Sequence, residues 1–182
     1  MKVAIIGAGS LGQSIAKGML QNTVVSSLYL TKRNTSSIIG FENYKEVIIT
    51  SDNEEAVKNS DILIFAVQPR HLKDILKNLK FLIRKDQIII SVITGFSIGK
   101  IENIIGAKYF IIRAMPNTAA SVGQSMTCIS ANEKGKEKVA LAKIVFNNLG
   151  RSMEIPEDQL QAATVICASG IAFWMRLIRA TT

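Results

Sequence analysis

The sequence predicts an α/β fold in which a doubly wound, mostly parallel sheet is followed by the start of an all-helical segment. Short apolar runs rich in Ile and Val alternate with helical patterns, as they do in parallel sheets that are buried on both faces. A glycine-rich turn follows the first of these runs directly, and from Asp158 onward a single helical pattern replaces the alternation.

The predicted elements follow one another along the chain in strand-helix units. Strands are predicted at residues 3–6, 24–30, 47–50, 62–67, 88–93 and 109–112. Asp52 and Ser97 are start signals for the helices that follow two of these strands. After Met115 the pattern changes to short strands near 126–129 and 152–155, which flank a charged helix at about 133–149. Pro156 is expected to close this domain.

The composition is typical of a globular protein and excludes several classes of function. The 182 residues are 48% hydrophobic and 20% charged, so the chain can bury a core. The formal net charge is +8, but acidic residues separate most of the basic ones, so we expect no nucleic-acid partner. Cys128 and Cys167 lie far apart and His71 is the only histidine, so we expect reduced thiols, a structural histidine and no metal. Met1 leads directly into a strand, so we expect no targeting signal and a cytoplasmic location.

The stretch "VAIIGAGSLGQSIAKGML" carries the first functional signal. Gly7, Gly9 and Gly12 have the G-x-G-x-x-G spacing between a strand and a helix, which is the context of a dinucleotide-binding turn in a Rossmann sheet. Gly7 permits the tight turn, Gly9 lets a pyrophosphate approach the backbone, and Gly12 lets helix and strand pack closely. The helix N-terminus supplies N–H groups to the anion.

The end of the second strand indicates which dinucleotide is bound. An NAD site places an acidic residue there, whereas this strand ends in "LYLTKRN", and no acidic residue occurs between Met1 and Glu42. Lys32, Arg33 and Asn34 take that place, and a cation there can pair with a 2′-phosphate. The sequence therefore favours NADP.

The helical pattern that begins at Asp158 is uncharged over residues 159–175. These 17 residues fall at the lower limit for a membrane span and include several polar side chains, so we expect packing against protein and no membrane. A helix that is apolar on most of its surface is unstable alone in water. Because it runs on to Thr182 without a cap, we expect a truncated chain whose second domain begins here.

The loop "IIRAMPNTAASVGQSMT" resembles the pyrroline-5-carboxylate reductase family, whose pattern is Arg-x-Met-Pro-Asn-Thr-Pro with glycines following. The stretches "IGAGSLG", "NEEAVKNSDILIFAVQP" and "SVITGFSI" are similar to the same family. "TVICASGIAFWMRLIRATT" is similar to the start of the family's helical dimerisation domain. The chain departs from the family pattern at Gln68, Ala119, Ser125, Ala168 and Ile171.

The resemblance implies a set of cofactor-binding residues at the ends of the predicted strands. Those assigned to the pyrophosphate are Ile6, Gly7, Ala8, Gly9, Ser10 and Leu11, and the glycine spacing adds Gly12. Those assigned to the 2′-phosphate and adenosine are Arg33, Asn34 and Asn53, and the position after the second strand adds Lys32. Those assigned to the nicotinamide half are Ala66, Val67, Gln68, Pro69 and Thr94, with Met115, Pro116 and Asn117 on the floor near the reacting ring.

The resemblance also implies a reaction, the NADPH-dependent reduction of 1-pyrroline-5-carboxylate to L-proline. Residues 1–156 would be the NADP-binding domain, and residues 157–182 the first helix of a dimerisation domain. A homodimer would form through Ile166, Phe173, Trp174 and Leu177, and the groups that bind the substrate would come from the helical domain, so the fragment alone would be inactive.

Two alternatives stay open at this point. One is another NADP-dependent reductase of the same architecture, such as an imine reductase, a hydroxyacid dehydrogenase relative or a deazaflavin-dependent NADP reductase; the "AMPNT" loop and the "ASGIAF" helix argue against these. The other is a non-catalytic NADP-binding module.

Overall fold

The computed structural model describes residues 1–22 and 25–181 and confirms the predicted α/β fold. Within these residues eight strands form one sheet: β1 Lys2–Ile6, β2 Ser27–Thr31, β3 Val47–Thr50, β4 Ile62–Phe65, β5 Ile88–Ser91, β6 Phe110–Met115, β7 Ser125–Ala131 and β8 Gly150–Glu154. Their order across the sheet is β3-β2-β1-β4-β5-β6-β7-β8. Neighbouring strands are parallel except for β6 and β7, which are antiparallel.

The strands begin and end within a few residues of the predicted positions. β2 begins at Ser27, and Val24, where the sequence placed its start, lies outside the described residues. β6 continues past its predicted end at 112 to Met115, because its last four residues pair with β7. A partner strand that is distant in sequence therefore decides where β6 ends.

Seven α-helices connect or follow these strands within the described residues. They are α1 Ser10–Gln21, α2 Asn53–Lys58, α3 Pro69–Leu79, α4 Ile98–Ile105, α5 Val139–Asn147, α6 Leu160–Ala163 and α7 Gly170–Thr181. Both predicted start signals are confirmed, since the Asp52 carboxylate accepts from the backbone N–H groups of Glu54 and Glu55, and the Ser97 hydroxyl accepts from that of Lys100. The charged helix predicted at 133–149 is shorter, a 3-10 turn over Gly135–Lys138 that continues into α5.

Two apolar layers bury the faces of the sheet. Val3 and Ile5 of β1 point into the layer that contains α1 and α5, while Ala4 and Ile6 point into the layer that contains α2, α3 and α4. All four side chains are fully buried. Helices on both faces explain why the strands are apolar at successive positions. The connections diverge between β1 and β4, and at such a switch point a crevice opens outside the carboxyl ends of the strands.

The C-terminal segment is helical from Glu157 to Thr181, as predicted from Asp158 onward, but its geometry changes along its length. A 3-10 turn over Glu157–Gln159 leads into α6, then a π-helical stretch over Thr164–Ser169, then α7. Leu160 packs against Met115 and Cys128. The exposed apolar side chains of α7 are Phe173, Trp174, Met175, Leu177 and Ile178. The segment has 25 residues, and an 18-residue window within it has a mean hydropathy of 1.4, so it is long and apolar enough to cross a membrane by length and composition only.

Candidate functional site

The predicted site residues lie along one edge of the sheet. The register places Ile6 of β1 between Thr31 of β2 and Phe65 of β4, and Ser91 of β5 beside Arg113 of β6. Because these strands are parallel, the loops that follow them emerge at the same edge. The glycine turn and the segments that begin at 32, 53, 66, 94 and 116 therefore lie at the same edge of the sheet.

Two glycines of the turn are required by the protein's own packing. Gly7 has φ +97°, and a Cβ there would lie 2.5 Å from Cγ1 of Val67. A Cβ on Gly12 would lie 2.6 Å from the carbonyl oxygen of Gly7 and 3.1 Å from Cγ2 of Ile5. A larger residue at Gly7 would be strained and would crowd the loop after β4, and one at Gly12 would push the start of α1 away from β1.

Gly9 is different, because the protein itself does not require a glycine there. Its backbone is extended, with φ −75° and ψ −168°, which every residue can adopt. A Cβ on Gly9 would have no heavy atom within 4 Å of it. Gly9 is the N-cap of α1, no side chain caps that helix, and Ser10 beside it is exposed. The open space at the uncapped N-terminus of a 12-residue helix fits an anionic group.

The residues after β2 include two cations. Arg33 is exposed and Lys32 half-buried, and among the described residues neither forms an ion pair. Asn34 already has a structural role, since its Oδ1 accepts from the backbone nitrogen and the hydroxyl of Ser36 at the start of a 3-10 turn. Arg33 and Lys32 are therefore the side chains at this position that can meet a further anion.

Asn53 reaches the same corner from the start of α2. Its Oδ1 lies 2.6 Å from the hydroxyl oxygen of Thr31, the last residue of β2, and the backbone nitrogen of Gly7 lies 3.3 Å from the same hydroxyl. These bonds connect the glycine turn to the adenosine side of the predicted site. Sequence reasoning missed Thr31, because a threonine at the end of a strand carries no motif.

The nicotinamide half is assembled from loops that are distant in sequence. The Thr94 hydroxyl lies 3.7 Å from the Met115 sulfur, which joins the end of β6 to the loop after β5. Ala66 and Val67 are half-buried beside Gly7, and Gln68 and Pro69 are exposed at the start of α3. In α3, His71 Nε2 accepts from Nε of Arg70, its neighbour in the chain.

Pro116 and Asn117 are buried in the loop between β6 and β7. The Asn117 backbone nitrogen donates to the Ser125 hydroxyl at 3.1 Å, and its Oδ1 accepts from the Ala119 nitrogen at 3.1 Å. Asn117 caps a 3-10 turn over Thr118–Val122, and this turn packs against α1. The amide of Asn117 therefore holds the loop in shape.

A partly buried ion pair, which the sequence did not reveal, lies at the start of the C-terminal segment. Nη1 of Arg113 lies 2.8 Å from Oε1 of Glu157, and the same oxygen accepts from the backbone nitrogen of Ile98 at 2.7 Å. Nε of Arg113 is buried without a hydrogen-bond partner. The pair lines a cleft of about 690 Å³, whose lining residues are Thr94, Gly95, Ser97, Arg113, Glu157, Asp158, Gln161, Thr164 and Val165. Arg113 lies within the otherwise apolar strand β6, and this feature of the sequence could have indicated a buried ion pair.

The described residues contain no set of three His, Cys, Asp or Glu side chains placed to hold a metal ion. Cys128 and Cys167, both within the described residues, are free thiols. Burial raises the pKa of the Cys128 thiol above its usual value, and the nearby Cys167 raises it further.

Comparison with known proteins identifies the family. Residues 2–95 match the family model described as NADP oxidoreductase, coenzyme F420-dependent. The chain is also 40% identical to pyrroline-5-carboxylate reductase 1 of Dictyostelium discoideum, in an alignment that covers 98% of this chain and 35% of that protein. The chain belongs to the pyrroline-5-carboxylate reductase family. The resemblance carried by the "AMPNT" loop and the glycine turn is thus confirmed.

Solved structures of pyrroline-5-carboxylate reductases have the same fold. The enzyme from Coxiella burnetii superposes with a TM-score of 0.90 at 29% identity, covering 98% of this chain and 68% of that one. Plasmodium falciparum pyrroline carboxylate reductase, solved with NADP bound, superposes with a TM-score of 0.84 at 26% identity, covering 99% of this chain and 67% of that one. The chain therefore spans between 35% and 68% of the length of these three relatives.

Proposed function

We propose that this chain is the NADP-binding portion of a pyrroline-5-carboxylate reductase. Residues 1–156 would be the cofactor domain, and residues 157–182 the first helix of a dimerisation domain. Family membership supports the reaction, and the relative that was solved with NADP supports the cofactor. When bound, NADPH supplies the hydride that reduces the C=N bond of 1-pyrroline-5-carboxylate to give L-proline.

The observation that carries this proposal is the open space at Gly9. Residues 6–12 would hold the pyrophosphate through the N–H groups of the turn and of the first turn of α1. A glycine whose neighbourhood is empty, between two glycines that the fold itself needs, is expected where a ligand occupies the space. The residues present therefore fit a dinucleotide.

The end of β2 supports NADP over NAD. Lys32 and Arg33 would pair with the 2′-phosphate, and no acidic residue stands at the end of β2 to accept hydrogen bonds from a free ribose. Asn34 would contribute through its backbone or its amide nitrogen, since its Oδ1 is already bonded to Ser36.

The remaining site residues would shape the nicotinamide half. Thr94 and Met115, joined by their contact, would border the ring, and residues 66–69 would line the side nearest the glycine turn. Pro116 and Asn117 would form the floor, which their burial keeps fixed. Their task would be to hold the reacting carbons close together and to exclude water.

The exposed apolar face of the C-terminal segment supports a homodimer or larger homo-oligomer. Ile166, Phe173, Trp174 and Leu177 are each more than half exposed. A second copy of this segment would cover them. We favour this over a membrane because the uncharged stretch 159–175 only reaches the lower limit for a span and includes polar side chains. A cytoplasmic location would suit the two free thiols.

Fluorescence titration of the 182-residue chain with NADPH and NADH tests cofactor choice. A charge-assisted contact to the 2′-phosphate should make NADPH bind about tenfold or more tightly than NADH. Arg33→Ala should remove most of that preference while leaving NADH binding nearly unchanged. Lys85→Ala is the matched control, because this exposed lysine precedes β5 and lies at the opposite edge of the sheet. Equal affinities of the unsubstituted chain for the two cofactors would refute the NADP assignment.

An assay of substrate-dependent NADPH oxidation tests whether the substrate-binding groups lie outside residues 1–182. In the family, the groups that hold the substrate carboxylate come from the helical domain. We therefore expect residues 1–182 to bind NADPH without reducing 1-pyrroline-5-carboxylate. Turnover at a normal enzyme rate would mean that the substrate-binding groups lie within this chain.

A further inference from the structure

Thr31 joins three elements at the adenosine side of the crevice. It is the last residue of β2 and is 2% exposed. Its carbonyl oxygen accepts from the backbone nitrogens of Gly7 and Ala8, at 3.2 and 2.8 Å. Its hydroxyl oxygen lies 3.3 Å from the Gly7 nitrogen and 2.6 Å from Oδ1 of Asn53.

The Thr31 hydroxyl both accepts and donates in this network. A backbone N–H can only donate, so the Thr31 hydroxyl oxygen accepts from Gly7. The hydroxyl has one hydrogen of its own, and Asn53 is its partner. The structure places the amide oxygen of Asn53 against this hydroxyl, and the two N–H groups of the amide are turned away from Thr31.

The amide nitrogen of Asn53 has no hydrogen-bond partner within the described residues. Asn53 is the first residue of α2, and its side chain is half-buried at the edge where the cofactor is proposed to bind. A flipped amide would present its carbonyl oxygen to the crevice, where it would repel a phosphate oxygen and could offer no donor to a ribose hydroxyl.

We propose that Thr31 is a positioning residue for the adenosine half of the cofactor site. Its hydroxyl fixes the Asn53 amide in the orientation that presents N–H donors to cofactor oxygens, and it couples that orientation to the glycine turn through Gly7. The inference rests on the proposed NADP-binding function. Thr31 itself lies behind Asn53 and acts through it.

The test is a double-mutant cycle on NADPH affinity, measured by fluorescence titration, with folding checked by circular dichroism. Thr31→Val keeps the shape of the side chain but removes the hydroxyl, and we expect about tenfold weaker binding. Thr31→Ser is the control that retains the hydroxyl, and it should bind within about twofold of the unsubstituted chain. In the Asn53→Ala background, Thr31→Val should cost little more, because its effect passes through Asn53.

A second variant tests the donors without touching Thr31. Asn53→Asp still accepts from the Thr31 hydroxyl but replaces the N–H donors with an anion, so NADPH affinity should fall at least about tenfold. Equal losses for NADPH and NADH would assign the donors to the ribose hydroxyls, and a loss confined to NADPH would assign them to the 2′-phosphate; either result supports the proposal.

Three results would overturn the inference. They are unchanged affinity in folded Thr31→Val, the same fractional loss from Thr31→Val with and without Asn53, and unchanged affinity in Asn53→Asp. Each of these leaves NADPH binding by the unsubstituted chain intact. Failure of the unsubstituted chain to bind NADPH would instead overturn the proposed function, and the inference with it.

Discussion

One carboxylate oxygen of Glu157 accepts hydrogen bonds from both Arg113 and the first backbone nitrogen of α4. The distances are 2.8 Å to Nη1 of Arg113 and 2.7 Å to the nitrogen of Ile98. Glu157 begins the C-terminal helical segment, so this oxygen attaches that segment to the carboxyl end of β6 beside the proposed nicotinamide half. The Arg113 side chain is 9% exposed and has no other acidic partner among the described residues.

Glu157→Ala should lower the free energy of unfolding by about 2–3 kcal/mol, because it leaves a buried guanidinium unpaired. Glu157→Gln should cost less, since the amide oxygen can still accept from Ile98. Urea denaturation followed by circular dichroism measures both. Asp158→Ala, at an exposed neighbour, is the control and should change stability by less than about 0.5 kcal/mol. If Glu157→Ala and Asp158→Ala were equally stable, the pair would not hold the segment in place.

Gly9→Val and Gly12→Ala should separate binding from folding. Gly9→Val places its side chain in open space, so the protein should fold normally but lose NADPH affinity by about 100-fold or more, because the side chain fills the cofactor's space. Gly12→Ala should lower stability by about 1–3 kcal/mol through overpacking against Gly7. Denaturation and NADPH titration of each variant provide the comparison. Unaltered NADPH affinity in folded Gly9→Val would show that the turn is not the site.

Cys128 should resist alkylation at mildly alkaline pH. The thiolate is the reactive form, and burial raises the pKa of Cys128, so its reactive fraction stays small as the pH rises toward 9. We expect iodoacetamide at pH 8 to modify Cys128 at least about tenfold more slowly in the folded chain than in urea. A Cys167→Ser variant isolates the measurement. Equal rates in the two conditions would mean that β7 opens readily.

The C-terminal segment should mediate self-association. Sedimentation of residues 1–182 should show a dimer or larger species, and a version that ends at Pro156 should be a monomer. Phe173→Asp, which charges a side chain that is 76% exposed on α7, should shift the long form toward monomer. Phe81→Asp, at an 86% exposed phenylalanine after α3, is the matched control and should have no effect. A long form that remains monomeric at high concentration would contradict the proposed interface.

The fold class, the glycine turn and the family could all be predicted from the amino-acid sequence. Residues 62–65 and 88–90 are apolar at every position because helices cover both faces of a parallel sheet, and this burial is visible in the composition of each strand. The glycine spacing and the cations after β2 are local features of the sequence. The prediction of an NADP-binding turn from them therefore needed no knowledge of distant contacts. The C-terminal helical segment could also be predicted, because helical periodicity is a local feature of the sequence.

Contacts between residues that are distant in sequence could not be predicted and are known from the folded structure. The spacing motif alone does not distinguish the structural glycines of the turn from the one that leaves room for a ligand. In the folded chain, Gly12 packs against the sheet, whereas Gly9 faces open space. Thr31 and Asn53 are 22 residues apart, and Arg113 and Glu157 are 44 residues apart. No local pattern specifies such pairs, because they depend on strand order and register, which are set by the burial of the whole sheet.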